Sequence, residues 1–509
     1  MDFLYSEKLI FWSNSRTQQI FTALIELNPK NYLVFDNNNY QSLINLSTLH
    51  LHHVRPIVES GLVMLSGLAV DWVNHRIFFT DSATSRIEFC NLDGSMRKVL
   101  FHQSVHKPHS IVTHPGLSKI YWSDWGEPVR IESAFMDGSA RQVVVSSLLS
   151  MPIGLVIDYP AGKIYWADFK QNMIECSNLD GSSRFIIVHQ NVYQPISLTL
   201  FEDNLYWSNA NSTQIQTVSK LTGINSSIIA ISAFVQNELD LTINVFHSLR
   251  QPSVDVYPCQ SHLCSHLCMP NNVSYRCSCP FGYILNENEN HNNCQLSSDP
   301  LLFFTYRNDI QAVTVSKNRL VLDNDVHYND LYLAQILPIA HISFVVSFDY
   351  DLASSTIYWS DLVNKSIGRA KWTDRQQESI IRDSLEAPSG IAFDWAGNNL
   401  YWTDTSRNVI EVAKTNGSFR SLVIWRSLDQ PRDIVLDPTS SIMFWTQWNN
   451  ITANIERAGM DGSFRIILIS FDLIRPHGLA LDHLYERLYW ADSGRSVIER
   501  ASYGKLWLF

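Results

Sequence analysis

IYWSDWGEP, residues 120–128, sets an aromatic pair, a small hydroxyl residue and an acid side by side. Alone, it could be a catalytic acid between aromatic walls. Its recurrence argues for scaffold. Related tetrads begin at Phe11 (FWSN), Phe78 (FFTD), Tyr121 (YWSD), Tyr165 (YWAD) and Tyr206 (YWSN). They return at Tyr358 (YWSD), Tyr401 (YWTD), Phe444 (FWTQ) and Tyr489 (YWAD). From Phe78 the intervals are 43, 44 and 41 residues; from Tyr358 they are 43, 43 and 45. One four-stranded propeller blade needs a period of this length. A reaction centre needs one acid at one place, whereas Asp124, Asp168, Asp361, Asp404 and Asp492 share one register. They read as structural carboxylates that accept backbone hydrogen bonds within or between blades. The repeated Trp reads as blade packing. Trp125, just after its tetrad, is matched only by Trp448.

Each period has the same grammar. An apolar strand ends in Asp, as at Asp71, Asp158, Asp394, Asp437 and Asp482. The aromatic strand follows, then an Ile-Glu strand such as RIES or VIEV. Next comes an Asp-Gly or Asn-Gly turn (Asp93-Gly94, Asp137-Gly138, Asp180-Gly181, Asn416-Gly417, Asp461-Gly462), and a last short strand closes the unit. These dipeptides supply the positive-φ residues of tight hairpins. No helical periodicity competes. From Phe11 to Phe78 is 67 residues, and the surplus reads as a long loop at a blade junction. Its histidines, His50, His52 and His53, read as solvated loop residues rather than metal ligands, since no Cys or carboxylate accompanies them.

At 509 residues the chain needs more than one core. With 38 basic and 49 acidic residues its net charge is -11, which disfavours nucleic acid and anionic membrane as partners. The start, MDFLYSEK, has neither a basic nor an apolar signal region, and no apolar run is long enough to span a bilayer. Six of the eight cysteines lie between Cys259 and Cys294, a disulfide framework made in an oxidising compartment. Seven Asn-x-Ser/Thr sequons (Asn45, Asn211, Asn225, Asn272, Asn364, Asn416, Asn450) fit that compartment. Extracellular character without signal or anchor leads to the expectation of a fragment. Cys90 and Cys176 sit at different offsets in their repeats and read as free buried thiols. No nucleophile motif or convergent metal set appears, so the chain reads as a non-enzyme without cofactor or metal.

The spacing Cys259-x4-Cys264-x3-Cys268-x8-Cys277-x-Cys279-x14-Cys294, with CSHLC and CSCPFGY, resembles an epidermal-growth-factor-type module. The resemblance implies Cys259–Cys268, Cys264–Cys277 and Cys279–Cys294; spacing alone permits 15 pairings. SVDVYPC, before the first cysteine, is a poor match to the calcium-binding subtype. Tyr-Trp-Thr-Asp repeats followed by such a module resemble the low-density-lipoprotein receptor superfamily. NLDGSMRKVLF, YWSDWGEPVRIESAFMDGS and LTLFEDNLYWS resemble the first propeller of the Wnt co-receptor (Arrow-like) branch. LLFFTYRNDIQAV, DWAGNNLYWTDTSRNVIEV and LDQPRDIVLDP resemble the start of another propeller of the same proteins.

The resemblance implies an all-β chain. A six-bladed propeller over 1–255 lacks its opening strands, an EGF-like module covers 256–297, and a second propeller over 298–509 has about four of six blades. It also implies a cell-surface location, on the extracellular side of a single-pass membrane protein. In the family, the propeller top face binds Wnt proteins and Dickkopf- or sclerostin-like inhibitors, beside a Frizzled co-receptor. Several inhibitors insert Asn-x-Ile into a Trp-Pro-Asn-Gly loop with an acidic rim. Here that loop reads Met151-Pro152-Ile153-Gly154 in the first ring and Arg475-Pro476-His477-Gly478 in the second. The family's acidic segment reads FHQSVHKPHS (101–110), and its second Trp after the fifth tetrad is Ala210. The candidate ligand residues are Trp125, Glu127, Met151 and Ile153, and in the second ring Trp425, Asp429, Arg432 and His477. The expectation is a retained fold with changed or lost peptide specificity. Rival readings are an endocytic receptor for lipoprotein or protease cargo, and an extracellular-matrix propeller protein.

Overall fold

The structure is a computed structural model. It describes residues 1–26, 50–230, 242–306, 309–314, 335–372, 377–449 and 452–503, apart from short gaps at 211, 213, 225, 256, 262–263, 273, 280–282, 287–291, 297–299, 338 and 340–341. The sequons at Asn45, Asn211, Asn225 and Asn450 lie outside the described residues; Asn272, Asn364 and Asn416 sit at exposed turns. The chain divides into two compact units, Met1–Leu302 with Val313–Gln335, and Phe303–Ala312 with Ile336–Phe509. The described residues are strands and turns with three short 3-10 turns, and no helix among them is long and apolar enough to cross a membrane.

In the first unit five four-stranded antiparallel sheets follow one another as blades. Each tetrad lies on the second strand: Leu9–Asn14, Arg76–Asp81, Lys119–Asp124, Lys163–Asp168 and Asn204–Asn209. The aromatic positions fill the spaces between sheets, so Phe78, Tyr121, Trp122, Trp166 and Trp207 are fully or almost fully buried. Blade-to-blade packing of this kind is the main apolar burial of the fold. At the sixth position, a segment around Ile243 joins the last blade to the first. Ile243 N–H donates to Ser197 Oγ (3.1 Å), Asn244 Nδ2 donates to Met1 O (3.2 Å), and Phe246 packs on Phe3 (4.9 Å between rings).

The surplus after Phe11 is not placed as expected. His50–Val58 is the fourth strand of the first blade, paired with Gln19–Glu26. The insertion therefore falls inside a blade, not at a blade junction. His52 lies on that strand with Nε2 2.8 Å from Glu26 Oε2, so a carboxylate does accompany it. The sequence hid this strand because HLHHVRPIV lacks the tight turn and apolar alternation that mark the other outer strands.

The disulfide module belongs to the first unit. It contains the bridges Cys259–Cys268, Cys264–Cys277 and Cys279–Cys294. Leu267 and Met269 pack into the core cluster that holds Phe78, Trp122 and Met136. Lys98 Nζ donates to Ser278 Oγ (2.7 Å) and Asn271 Nδ2 to Asp137 Oδ2 (2.7 Å). Cys90 and Cys176 are buried thiols, and burial pushes the Cys176 thiol up to about 11.

The second unit holds three four-stranded blades, carrying Tyr358, Tyr401 and Phe444, and a three-stranded sheet carrying Tyr489. Trp402 and Trp445 are buried as their counterparts are.

Candidate ligand faces

Every position of the tetrad has a structural task. The Asp is buried and ties the loop that enters its own blade's inner strand. Asp168 accepts from Ser150 N–H (2.8 Å) and Met151 N–H (3.1 Å) on that loop, and from Lys170 and Gln171 N–H (3.1 and 3.0 Å) beyond the tetrad. Asp81, Asp124, Asp361, Asp404 and Asp492 make the same two contacts 18 and 17 residues back. The next residue closes the loop with its own N–H, as Phe169 does on Met151 O (2.9 Å) and Trp125 on Lys107 O (3.2 Å). The hydroxyl position latches neighbouring blades: Thr403 Oγ1 accepts Gly390 N–H of its own blade (2.9 Å) and donates to Arg432 O of the next. Asp was expected to hold backbone within or between blades; the holding is within the blade, and the Ser/Thr spans between blades.

A second repeated device is absent from the sequence reading. Glu88, Glu132, Glu175, Glu411 and Glu456 are buried, and each binds the Arg nine residues later: Arg97, Arg141, Arg184, Arg420 and Arg465, at 2.6–2.7 Å. Each guanidinium also lies over a tetrad aromatic, 5.2–5.5 Å from the centroid of Phe79, Trp122, Trp166, Trp402 or Trp445. It donates to two carbonyls of the preceding loop, as Arg184 does to Ser147 O and Leu148 O. The recurrence of Glu and Arg at a fixed nine-residue offset is the signal that would have found it.

These ties fix the loop that leads into each inner strand. In blade after blade the inner strand starts with a register shift opposite the tetrad. Pro152 pairs with Asp168 but Gly154 with Ala167, so Ile153 is extra. Pro476 pairs with Asp492 and Leu479 with Trp490, so His477 and Gly478 face one residue. His109 and Arg432 lie in the same kind of irregularity. A bulge bends the strand and re-aims its side chain.

In the first unit residues at these strand starts line a cavity of about 1050 Å³, whose wall includes Trp12, Met64, Trp125, Met151, Ile153 and Phe169; Ile153 itself is only 8% exposed. His109 meets Trp125 edge-on at 5.4 Å. Trp125, Met151 and Ile153 are thus brought together, while Glu127 is exposed and outside this lining. Apolar side chains stand beside polar ones in this wall, which also holds Asn14, Arg16, His109 and Asn244.

In the second unit the same positions carry charge. Trp448 follows Gln447 as Trp125 follows Asp124. Arg432 lies over its ring at 4.6 Å and Arg475 at 5.6 Å, and His477 meets it edge-on at 5.1 Å. Burial, then Arg432 and Arg475, hold the His477 imidazole below its ordinary range. Arg432 and His477 are brought together here, with Trp448 and Arg475 that had not been named as ligand residues. Trp425 stays on the exposed outer rim, and Asp429 is an exposed carboxylate bonded to Asn449 Nδ2. Among the described residues no group of three or more His, Cys, Asp or Glu is arranged to hold a metal ion.

The model of low-density lipoprotein receptor repeat class B matches residues 118–159, 162–202, 355–395, 398–438 and 441–483. The chain carries low-density lipoprotein receptor class B repeats. Low-density lipoprotein receptor-related protein 5 of Mus musculus is 39% identical over 340 residues, 66% of this chain and 20% of that protein. Low-density lipoprotein receptor-related protein 4 of Mus musculus is 40% identical over 396 residues, 77% of this chain and 18% of that protein. The vitellogenin receptor of Solenopsis invicta is 31% identical over 262 residues, 51% of this chain and 14% of that protein. The chain spans about a fifth of the length of the first two. Among solved structures, the nidogen/laminin complex is similar over 40% of this chain and 73% of that one, at 32% identity and a TM-score of 0.36. The class B repeats matched here are among the units whose Asp, Ser/Thr and Glu–Arg ties were described above.

Proposed function

We propose that this chain is an extracellular ligand-binding region of a Wnt co-receptor-like receptor, and that it takes protein ligands on the faces displayed by the bulged inner strands. Residues 1–255, 256–297 and 298–509 act as first propeller, EGF-like spacer and second propeller. The observation that carries the reading is the mouth of the first unit: Trp125, Met151 and Ile153 line one cavity on loops locked by buried carboxylates. A rigid frame with variable displayed residues suits protein recognition, because little ordering entropy is lost on binding. We read the role of this mouth as binding. Ile153 cannot pair with the amide of an inserted Asn, and an unpaired buried amide costs about 1–3 kcal/mol. The ligand is therefore a Wnt-type protein or an inhibitor that offers an apolar side chain instead of Asn.

The test is a titration of the full chain, with correctly paired disulfides, against a Wnt protein and an Asn-x-Ile peptide. Binding of the Wnt protein without the peptide is expected. Silence from both sinks the Wnt reading. An endocytic role is the second reading, favoured by similarity to a receptor named for vitellogenin. It predicts lipoprotein binding at neutral pH that is released at endosomal pH.

A further inference from the structure

The second unit carries cationic side chains at positions where the first unit has Met151 and Ile153. By position relative to tetrad and loop proline, His109, Met151 and Ile153 around Trp125 become Arg432, Arg475 and His477 around Trp448. We infer that the Trp448 cluster is a separate recognition site for an acidic peptide segment of a protein ligand, with Arg432 and Arg475 gripping a carboxylate. The inference rests on the reading of the displayed faces as ligand faces, and deepens it by assigning the two units different chemistries.

Three observations carry it. First, these guanidiniums differ from the other arginines that lie over a tetrad aromatic. Arg97, Arg141, Arg184, Arg420 and Arg465 are each neutralised by a buried Glu. Among the described residues neither Arg432 nor Arg475 has a carboxylate at ion-pair distance. Arg432 Nη2 donates only to Gln430 Oε1 (3.1 Å), and its buried Nε has no partner. A guanidinium held over Trp448 without a carboxylate of its own retains N–H groups that can receive one. Second, Arg475 is anchored through its backbone. Its N–H donates to Asp492 Oδ1 (3.0 Å) and its carbonyl accepts Ser493 N–H (3.0 Å), so the side chain is aimed by a fixed loop. Third, the Asp492 carboxylate beneath accepts the N–H groups of Ile474, Arg475, Gly494 and Arg495 and makes no ion pair with the Arg432 or Arg475 guanidinium, although its charge acts on His477.

The site suits a short acidic peptide and not a sulfated glycan. It holds two guanidiniums and one imidazole, enough to pair one or two carboxylates, while Glu386 and Asp429, exposed on neighbouring loops, limit how far a run of higher charge density such as a sulfated glycan can extend.

The test uses the full chain and three fluorescent hexapeptides, oligoglutamate, oligoglutamine and oligolysine, with a heparin hexasaccharide as a fourth probe. Oligoglutamate is expected to bind most tightly, and to weaken as salt rises. Arg432→Gln with Arg475→Gln should reduce that binding about tenfold, whereas Arg432→Lys with Arg475→Lys should retain part of it. Met151→Ala with Ile153→Ala should leave it unchanged, which separates this site from the first unit's mouth. Unchanged thermal unfolding of each variant shows that the propeller is intact. Equal binding of oligoglutamate and oligoglutamine, loss of oligoglutamate binding in Met151→Ala/Ile153→Ala, or binding of heparin alone would overturn the inference. If the Wnt titration fails but oligoglutamate binds through Arg432 and Arg475, the acidic-ligand site stands and the Wnt reading alone falls.

Discussion

The carboxylate of Asp168 accepts the backbone N–H of Met151 at 3.1 Å, so a repeat residue inside the blade sets the position of a residue on the proposed ligand face. Scaffold and site are therefore one hydrogen-bonded system. Asp168→Ala would orphan up to four N–H donors around a fully buried site. The expected loss of stability is roughly 3 kcal/mol, with Asp168→Asn losing less because one acceptor oxygen remains. Denaturant unfolding of both variants checks this, and equal losses would contradict it.

Glu175 and Arg184 should behave as a buried pair. Removing Arg184 alone (Arg184→Met) leaves Glu175 charged beneath Trp166, at a cost of about 3–5 kcal/mol. Replacing both, Glu175→Leu with Arg184→Met, should cost much less, because no charge is left buried without a partner. A double-mutant cycle reads the coupling directly.

The second unit should lose stability as pH rises from about 4 to about 6. Burial pushes the carboxyl groups of Asp349 and Asp433 up to about 6. Asp349 accepts Phe393 N–H and Asp433 accepts Leu479 N–H, each across a blade junction at 2.7 Å. A carboxyl raised in the folded state holds its proton there while the unfolded chain releases it. The fold is thus favoured at low pH and loses that advantage through this window. Asp349→Asn with Asp433→Asn should flatten the slope of unfolding midpoint against pH, and an unaltered slope would refute the assignment.

The joint between blade and disulfide module should strengthen at alkaline pH. Burial lowers the Lys98 ammonium to about 8 where it donates to Ser278. The folded state then binds fewer protons than the unfolded state between about pH 8 and pH 10.5, so stability rises across that interval. Lys98→Met should remove the rise, measured as proteolytic resistance of the module.

Much of this architecture was legible because it is repeated. The tetrads, their Asp-terminated strands and the Asp-Gly turns recur at one register, and each repetition strengthens the reading. The module's six cysteines were legible as a framework, since short spacings restrict the backbone. What escaped was non-periodic or paired at a distance. The strand His50–Val58 lacks the composition of its counterparts. The Glu–Arg pairs join the third strand to the residue just before the fourth, so neither residue stands out alone. Arg432 and His477 could be named singly, but the cluster on Trp448 joins residues of adjacent blades, and only the shared bulge register shows that they meet.

The central claim is that Met151 and Ile153 sit where an inserted ligand side chain is read. The most direct test restores the family loop in the full chain, Met151→Trp with Ile153→Asn, and measures affinity for an Asn-x-Ile peptide by calorimetry. The restored chain is predicted to gain binding that the parent chain lacks, by at least the roughly tenfold worth of one satisfied buried amide. A folded double variant that gains no affinity would contradict the placement of the ligand face.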